Sequence, residues 1–358
     1  MVMSKIKTIK VWSADLGNTK PYTIAFKTVD EVFNAFVEIT LDNGITGIGA
    51  GSPSEYVTGE QLSQTIAALH EKNLGFLTGR DIREIHQLNF EVWKKFPTTP
   101  AARAALDIAL YDAFTKYLDV PLVKYLGQKI KSLPTSITIG IKNVEETLRE
   151  AEEYLQKGFK ILKVKLGKDL EEDIERIAKL REKFGKKFVI RIDANQGYTI
   201  AQTIGFYQKT KHLNIELIEQ PLPARAVADL KKMPEEVRAI VAADESLLTP
   251  VDAIELIKPP RAAGIFNIKL MKCGGINQGL KIADVGLAEG VDLFWGCNDE
   301  SIISITAALH AAFACSNTLY IDLDGSLDLA KDVVKGGFIL KEGIMCCSDK
   351  PGLGVERI

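Results

Sequence analysis

Residues 161–167 read ILKVKLG and residues 188–195 read FVIRIDAN; between them EEDIERIAKLREKF (171–184) sets Ile174, Ile177, Ala178 and Leu180 on or near one helical face. A strand covered on both sides is apolar throughout, whereas the helix that covers it is apolar on one stripe, so the stretch reads as one β/α/β unit. The rhythm continues on either side. SITIGI (136–141) precedes the unit, and IELIEQP (215–221), AIVAADES (239–246), GIFNIKL (264–270), VDLFWGC (291–297) and LYIDLDG (319–325) follow it, giving eight strand candidates. Eight β/α units at this spacing predict an α/β fold built on a (β/α)8-type TIM barrel rather than an open sheet.

The chain ahead of the barrel has a different pattern. Strand patterns at 6–12, 34–41 and 44–49, the last two joined by an Asp42-Asn43-Gly44 hairpin turn, are followed by helical patterns at 61–74 and 99–116. In the second helix Ala102, Ala105, Leu106, Ala109, Leu110 and Ala113 form a small-residue stripe suited to close packing. These elements predict an α+β capping domain over residues 1–125, completed by a returning tail of about 335–358, with the barrel spanning 126–334.

Composition narrows the function classes. With 358 residues, 46% apolar and 26% charged, the chain is an ordinary folded protein, which excludes disordered, collagen-like and coiled-coil readings. A formal charge of −2 leaves no global field to gather nucleic acid or an anionic membrane, so a small-molecule partner is expected; a homo-oligomer is compatible with the composition. The cysteines Cys273, Cys297, Cys315, Cys346 and Cys347 lack C-x-x-C spacing and read as reduced, packed thiols. The opening MVMSKIKTIKVW has no apolar signal core, and no later run is long enough to span a bilayer, which leads to the expectation of a cytoplasmic enzyme.

From the second strand to the sixth, the charged residue nearest each strand end is Lys165, Asp193, Glu219, Asp244 and Lys269, one every 25 to 28 residues. A barrel gathers all strand C-termini at one mouth, so the five charges meet there. Three carboxylates on adjacent strands repel one another unless a cation neutralises them, and an all-oxygen set suits Mg²⁺ over zinc. Asn195 and Gln220 stand beside two of these acids as candidates to orient them. Lys163 and Lys165 share one strand face and are predicted to crowd inside the barrel, each lowering the other's pKa. Lys269 comes from the strand opposite, so two lysines flank a substrate, one removing a proton and the other returning it to the far face.

Taken together, KVK (163–165), DANQGY (193–198), EQP (219–221), ADES (243–246) and NIKLMKCGG (267–275) resemble the enolase superfamily, in its muconate-cycloisomerase-like branch. The resemblance spans nearly the whole chain, cap included. Asp322-Leu323-Asp324 at the end of the eighth strand is similar to the D-x-D with which dipeptide epimerases of that branch hold a substrate's α-ammonium. The resemblance implies one Mg²⁺ per subunit on Asp193, Glu219 and Asp244, with Lys165 and Lys269 as acid/base groups and Lys163 as a cationic neighbour. It also implies that the α-carbon of the dipeptide's C-terminal residue is inverted.

Rival readings stay open at this level. Cycloisomerases and o-succinylbenzoate synthases share the lysines and acids but have no use for Asp322 and Asp324. Acid-sugar dehydratases want a strand-end histidine, and none of His70, His86, His212 and His310 ends a strand. A non-catalytic metal- or peptide-binding barrel has no need of opposed bases. Cys273 and Cys297 lie near the mouth without a histidine in phase, so neither reads as a nucleophile. Specificity is expected from the cap loops 18–28 and 51–59. Lys27 matches the position of a cation that Ala-Glu epimerases use, while Asp299 and Glu55 could set two carboxylates over the same pocket. PTSITIGI, GIFNIKLMKCGG, YIDLDGSLDLA and GC-x-DES resemble the sub-branch that prefers cationic dipeptides, although Ser54 stands where that sub-branch places its loop acid. The acid excess favours Lys- or Arg-containing dipeptides over Ala-Glu.

Overall fold

The computed structural model describes residues 3–19, 22–24, 27–29 and 31–358, the two short stretches as backbone only. Its centre is a parallel sheet of eight strands, Ile137–Ile139, Ile161–Lys165, Val189–Asp193, Ile215–Glu219, Val241–Ala243, Ile265–Ile268, Asp292–Trp295 and Thr318–Ile321, each paired with the next in chain order. A parallel bridge between Thr135 and Ile321 lays the eighth strand beside the first and closes the (β/α)8 barrel. Leu217, Ala242, Ile265 and Phe294 fill part of its interior. The strand register brings three of the charges to one level. Lys165 is the Cα partner of Asp193 and Asp193 of Glu219, whereas Glu219 pairs with Ala242 and Ala242 with Ile265, so Asp244 and Lys269 stand two and four residues beyond that rung.

The cap is a three-stranded antiparallel sheet, Ile6–Asp15, Phe33–Leu41 and Thr46–Gly51, lying on the helix Pro100–Tyr117. A Cβ built on Gly49 would fall 1.9 Å from the Ala105 carbonyl oxygen, and those on Gly47 and Gly51 would come within 2.3 and 2.4 Å of the same helix. Glycine at every second strand position therefore lets the two backbones touch. The helix is not a one-sided stripe as the pattern suggested: Arg103, Asp107 and Asp112 are buried along with its alanines, because barrel elements cover its other side. Boundaries also differ, the third strand being Thr46–Gly51 rather than 44–49. The first strand runs on to Asp15, and the 61–74 pattern is two helices, Leu62–Ala68 and Glu71–Leu74, broken where the His70 Nδ1 accepts from the Lys72 amide at 3.3 Å. The helix Ile85–Lys95 carries no clear signal in the sequence, since half of its surface faces water with Phe90 and Trp93 exposed.

The C-terminal segment pairs Val334–Gly336 with Val355–Arg357, and Ile344–Cys347 with both Phe338–Lys341 and Leu133–Pro134. It meets the cap through Arg357, which lies 2.7 Å from Glu38 and over the Trp12 ring, and through the Leu353 amide, which donates to Asp112 at 2.8 Å. No helix among the described residues is long and apolar enough to cross a membrane, and all five cysteines are free thiols.

Candidate active site

Lys163 lies at the bottom of the mouth, 4% exposed, with Nζ 2.8 Å from Glu219, 2.9 Å from Asp322 and 3.5 Å from Asp193, over the Phe294 ring. Burial pulls its pKa down, but Asp322, Glu219 and Asp193 outweigh burial and hold it well above the ordinary lysine value. The expected mutual lowering of Lys163 and Lys165 is therefore wrong for Lys163: its neighbours are three carboxylates, which the sequence shows only as distant strand ends. Lys165 stands two residues further up the strand, half-buried at the mouth. Its carbonyl accepts from Arg176 at 3.3 Å, which fixes the strand end.

Across the barrel, Lys269 Nζ lies 2.7 Å from Asp244 Oδ2. Lys272 takes the other carboxylate oxygen of Asp244 and also donates to the carbonyls of Asp244 at 2.7 Å and Asn267 at 2.9 Å. Burial would raise the Asp244 pKa, yet the two lysines hold it far below the usual carboxylate range; Lys269 is correspondingly raised, while burial lowers Lys272. Sequence reasoning missed Lys272. The available signal was its position three residues after Lys269 on the one-turn helix Leu270–Cys273, which puts both lysines on one side.

Glu219 is pushed well above the usual carboxylate value by burial and by the charge of Asp193, against the pull of Lys163, and accepts from Asn267 Nδ2 at 2.9 Å. Gln220 serves Asp244 rather than Glu219: its Oε1 accepts from the amides of Asp244 at 2.9 Å and Ser246 at 3.1 Å. The Asn195 amide donates to Asp193 at 2.9 Å. Glu245, which sequence reasoning also missed, is raised to about 7 by burial and by Asp244.

On the eighth strand's side, Asp322 accepts at 2.6 Å from Oγ of Ser136, just ahead of the first strand, and Asp324 at 2.8 Å from the amide of Thr138 within it. They are not equivalent. Lys163 already engages Asp322 and, against burial, keeps its pKa low, whereas burial and the charge of Asp322 raise Asp324 to about 7. Burial also raises the thiols of Cys297 and, to about 12, Cys273, which leaves both as poor nucleophiles.

The cap reaches the mouth through Ser52, whose amide donates to Met271 Sδ at 3.0 Å and whose hydroxyl donates to the Asp299 carbonyl at 2.8 Å. Asp299 is half-buried and Glu55 exposed. Lys27 begins the short strand Lys27–Val29, paired with Tyr22–Ile24; its side chain lies outside the described residues. The Thr19 amide, just before that hairpin, donates to the Asp328 carbonyl at 2.8 Å, beyond the eighth strand.

No three His, Cys, Asp or Glu side chains among the described residues are drawn closely enough to surround one ion; Lys163, Lys269 and Lys272 lace the acids instead. The donor chemistry nevertheless fits a hard divalent cation. Asp193, Glu219 and Asp244 are buried oxygen donors on adjacent strands, and the repulsion that lifts Glu219 is relieved by added positive charge.

A closed barrel with lysines set among carboxylates at its mouth, under an α+β cap, defines a class of capped barrels. Residues 146–357 match the family profile described as enolase C-terminal domain-like, and residues 7–127 match the mandelate racemase / muconate lactonizing enzyme N-terminal domain. The chain belongs to the enolase superfamily, in this mandelate racemase / muconate lactonizing enzyme family. It is 54% identical to the L-Lys-D/L-Arg epimerase of Desulforapulum autotrophicum over 99% of this chain and 100% of that one. To the L-Lys-D/L-Arg epimerase of Methylococcus capsulatus it is 51% identical, covering 98% and 99%. The crystal structure of the dipeptide epimerase from Methylococcus capsulatus, complexed with Mg and the dipeptide L-Arg-D-Lys, superposes with a TM-score of 0.97 over 98% of this chain and 99% of that one, at 51% identity.

Proposed function

We propose that this chain is a Mg²⁺-dependent dipeptide epimerase that inverts the α-carbon of the C-terminal residue in dipeptides containing Lys or Arg. The observation that carries the reading is the placement of Lys165 and Lys269 at the ends of the second and sixth strands, diametrically opposed in an eight-stranded barrel, on either side of the carboxylates of the strands between them. A single base returns a proton to the face it came from; two opposed bases invert the centre. Lys165 serves one isomer and Lys269 the other. When bound by Asp193, Glu219 and Asp244, Mg²⁺ supplies the positive charge that makes a proton beside a carboxylate acidic enough to leave. Lys163, kept protonated by its acid neighbours, adds fixed positive charge below the reacting carbon.

Asp324 receives the substrate's α-ammonium, a cation that restores the charge Asp324 loses beside Asp322, while Asp322 is steadied by Ser136 and Lys163. Asp299 and Glu55 draw a cationic side chain to the rim. Cationic specificity is supported by relatives at 54% and 51% identity that act as L-Lys-D/L-Arg epimerases. Five unpaired thiols support a reducing, cytoplasmic setting. Incubating the protein with Mg²⁺ and L-Arg-L-Lys in D₂O should place deuterium at the C-terminal α-carbon alone and accumulate the D isomer. L-Ala-L-Glu should show a lower kcat/KM. Absence of uptake from every dipeptide offered refutes the reading.

A further inference from the structure

The turn that carries Lys269 is finished by a residue from the other domain. After Lys269 come the one-turn helix Leu270–Cys273, then Gly274 at φ 87° and Gly275 at φ 110°, and then the helix Ile276–Ala288. The first amides of a helix have no acceptor inside it. Gly275, at the N-cap, has no side chain to offer one, and the first turn carries no acid. The acceptor comes from the cap helix Pro100–Tyr117: Asp107 Oδ2 accepts from the Ile276 amide at 2.7 Å and Oδ1 from the Asn277 amide at 3.3 Å.

The glycine pair is the space through which the cap helix enters. A Cβ on Gly275 would lie 2.6 Å from Asp107 Cγ, and one on Gly274 would lie 2.6 Å from Arg103 Nε. Arg103 and Asp107 are both buried, and Arg103 Nε has no hydrogen-bond partner among the described residues. Burying such groups is costly, so the arrangement is explained by what it holds. What it holds is short: Lys269 and Lys272, three residues apart, both end on Asp244, and Met271 between them takes the Ser52 amide of the second cap loop. Glu60, just past that loop, accepts from the Ala101 amide at 2.7 Å and so caps the helix that bears Asp107.

We infer that Asp107 is a positioning residue for Lys269: by capping the helix Ile276–Ala288 from the other domain it fixes the turn 269–275, coupling the seating of the cap to the placement of one of the two bases. Lys165, on the opposite strand, lies outside the coupled segment. The inference rests on the two-base mechanism, and its test separates the two.

Asp107→Leu removes the acceptor, and Asp107→Asn keeps one acceptor oxygen at the same size. Amide hydrogen exchange of a peptide covering 270–280 should be about tenfold faster in Asp107→Leu than in the parent, as for loss of an N-cap, and intermediate in Asp107→Asn. With Mg²⁺ and L-Arg-L-Lys or L-Arg-D-Lys in D₂O, the Lys165→Ala and Lys269→Ala variants first establish which isomer each lysine serves. Asp107→Leu should then lose α-proton exchange on the order of a hundredfold for the Lys269 isomer while the Lys165 isomer stays near the parent rate, and Asp107→Asn should recover much of the loss. Equal loss for both isomers marks a general structural defect and overturns the inference, as does unchanged amide exchange. A parent that exchanges no α-proton sinks the epimerase reading, and amide exchange then decides the coupling alone. If Asp107→Leu does not fold, Asp107→Asn carries both measurements by the same criteria.

Discussion

Lowering the pH from 7 to 5 should cost the native chain about 2 kcal/mol through His310 alone. The imidazole is fully buried in the helix Ile302–Ala314, where Nδ1 accepts from the Val123 amide at 2.9 Å, so a neutral ring carries its proton on Nε2. Burial lowers its pKa from 6.5 to about 3. The unfolded chain therefore binds the extra proton across that window and the folded chain does not. The stability is present in full above about 6.5 and is lost as pH falls, at about 1.4 kcal/mol per unit, until the loss levels off near 3. His310→Asn keeps an acceptor for Val123 and cannot titrate. Urea unfolding of both proteins at pH 7 and pH 5 gives the contribution as a difference of differences. The raised acids Asp107, Glu245, Glu300 and Asp324, whose stabilisation runs the other way as pH rises through about 7, are common to both proteins and cancel. Parallel pH dependences for parent and variant, within about 0.5 kcal/mol, would refute a ring held neutral by burial.

Chelation should abolish turnover and lower the Tm, with both restored by Mg²⁺, and Asp244→Asn should lose Mg²⁺ binding and activity together; full turnover in excess chelator counts against the acid cluster as a metal site. Lys165→Ala and Lys269→Ala should each cut epimerisation by at least about 10²- to 10⁴-fold while retaining exchange of one isomer's α-proton, as read by NMR in D₂O; near-normal epimerisation by either rules out two bases. Asp299→Leu should lower kcat/KM for Arg- and Lys-containing dipeptides by about tenfold or more and narrow their advantage over Ala-Glu, and an unaltered preference would remove Asp299 from specificity.

The barrel was legible because each strand is a short apolar run that the crossover helices space at nearly constant intervals, and Lys165, Asp193, Glu219, Asp244 and Lys269 recur at that same interval. Partnership was not legible. Alternation says that Lys163 faces inward, but only the closed circle shows that Asp322, from a strand 159 residues away, comes within 2.9 Å of it. Lys272 escaped because it follows the strand end, in a one-turn helix too short to leave a periodic signature. Asp107 was hidden for the opposite reason: in a helix buried all round, an acid among alanines gives no sign of which foreign amides it meets. In the cap, the 61–74 pattern kept its helical period through a break made by a local cap at His70, which hydrophobic spacing does not record.

The rung formed by Lys165, Asp193 and Glu219 ties chemistry to backbone pairing. Because side chains alternate with a period of two, inserting or deleting one residue within Val189–Asp193 would turn Asp193 from the bore toward the surrounding helices and uncouple it from both neighbours at once. Strand lengths below the rung are thus frozen, and so are the first residues after each strand, where Asp244, Lys269, Lys272, Asp322 and Asp324 stand, while the connecting segments further out can lengthen or shorten without moving a charge. New substrates can be admitted by rewriting those outer segments, with the proton-handling centre carried forward intact.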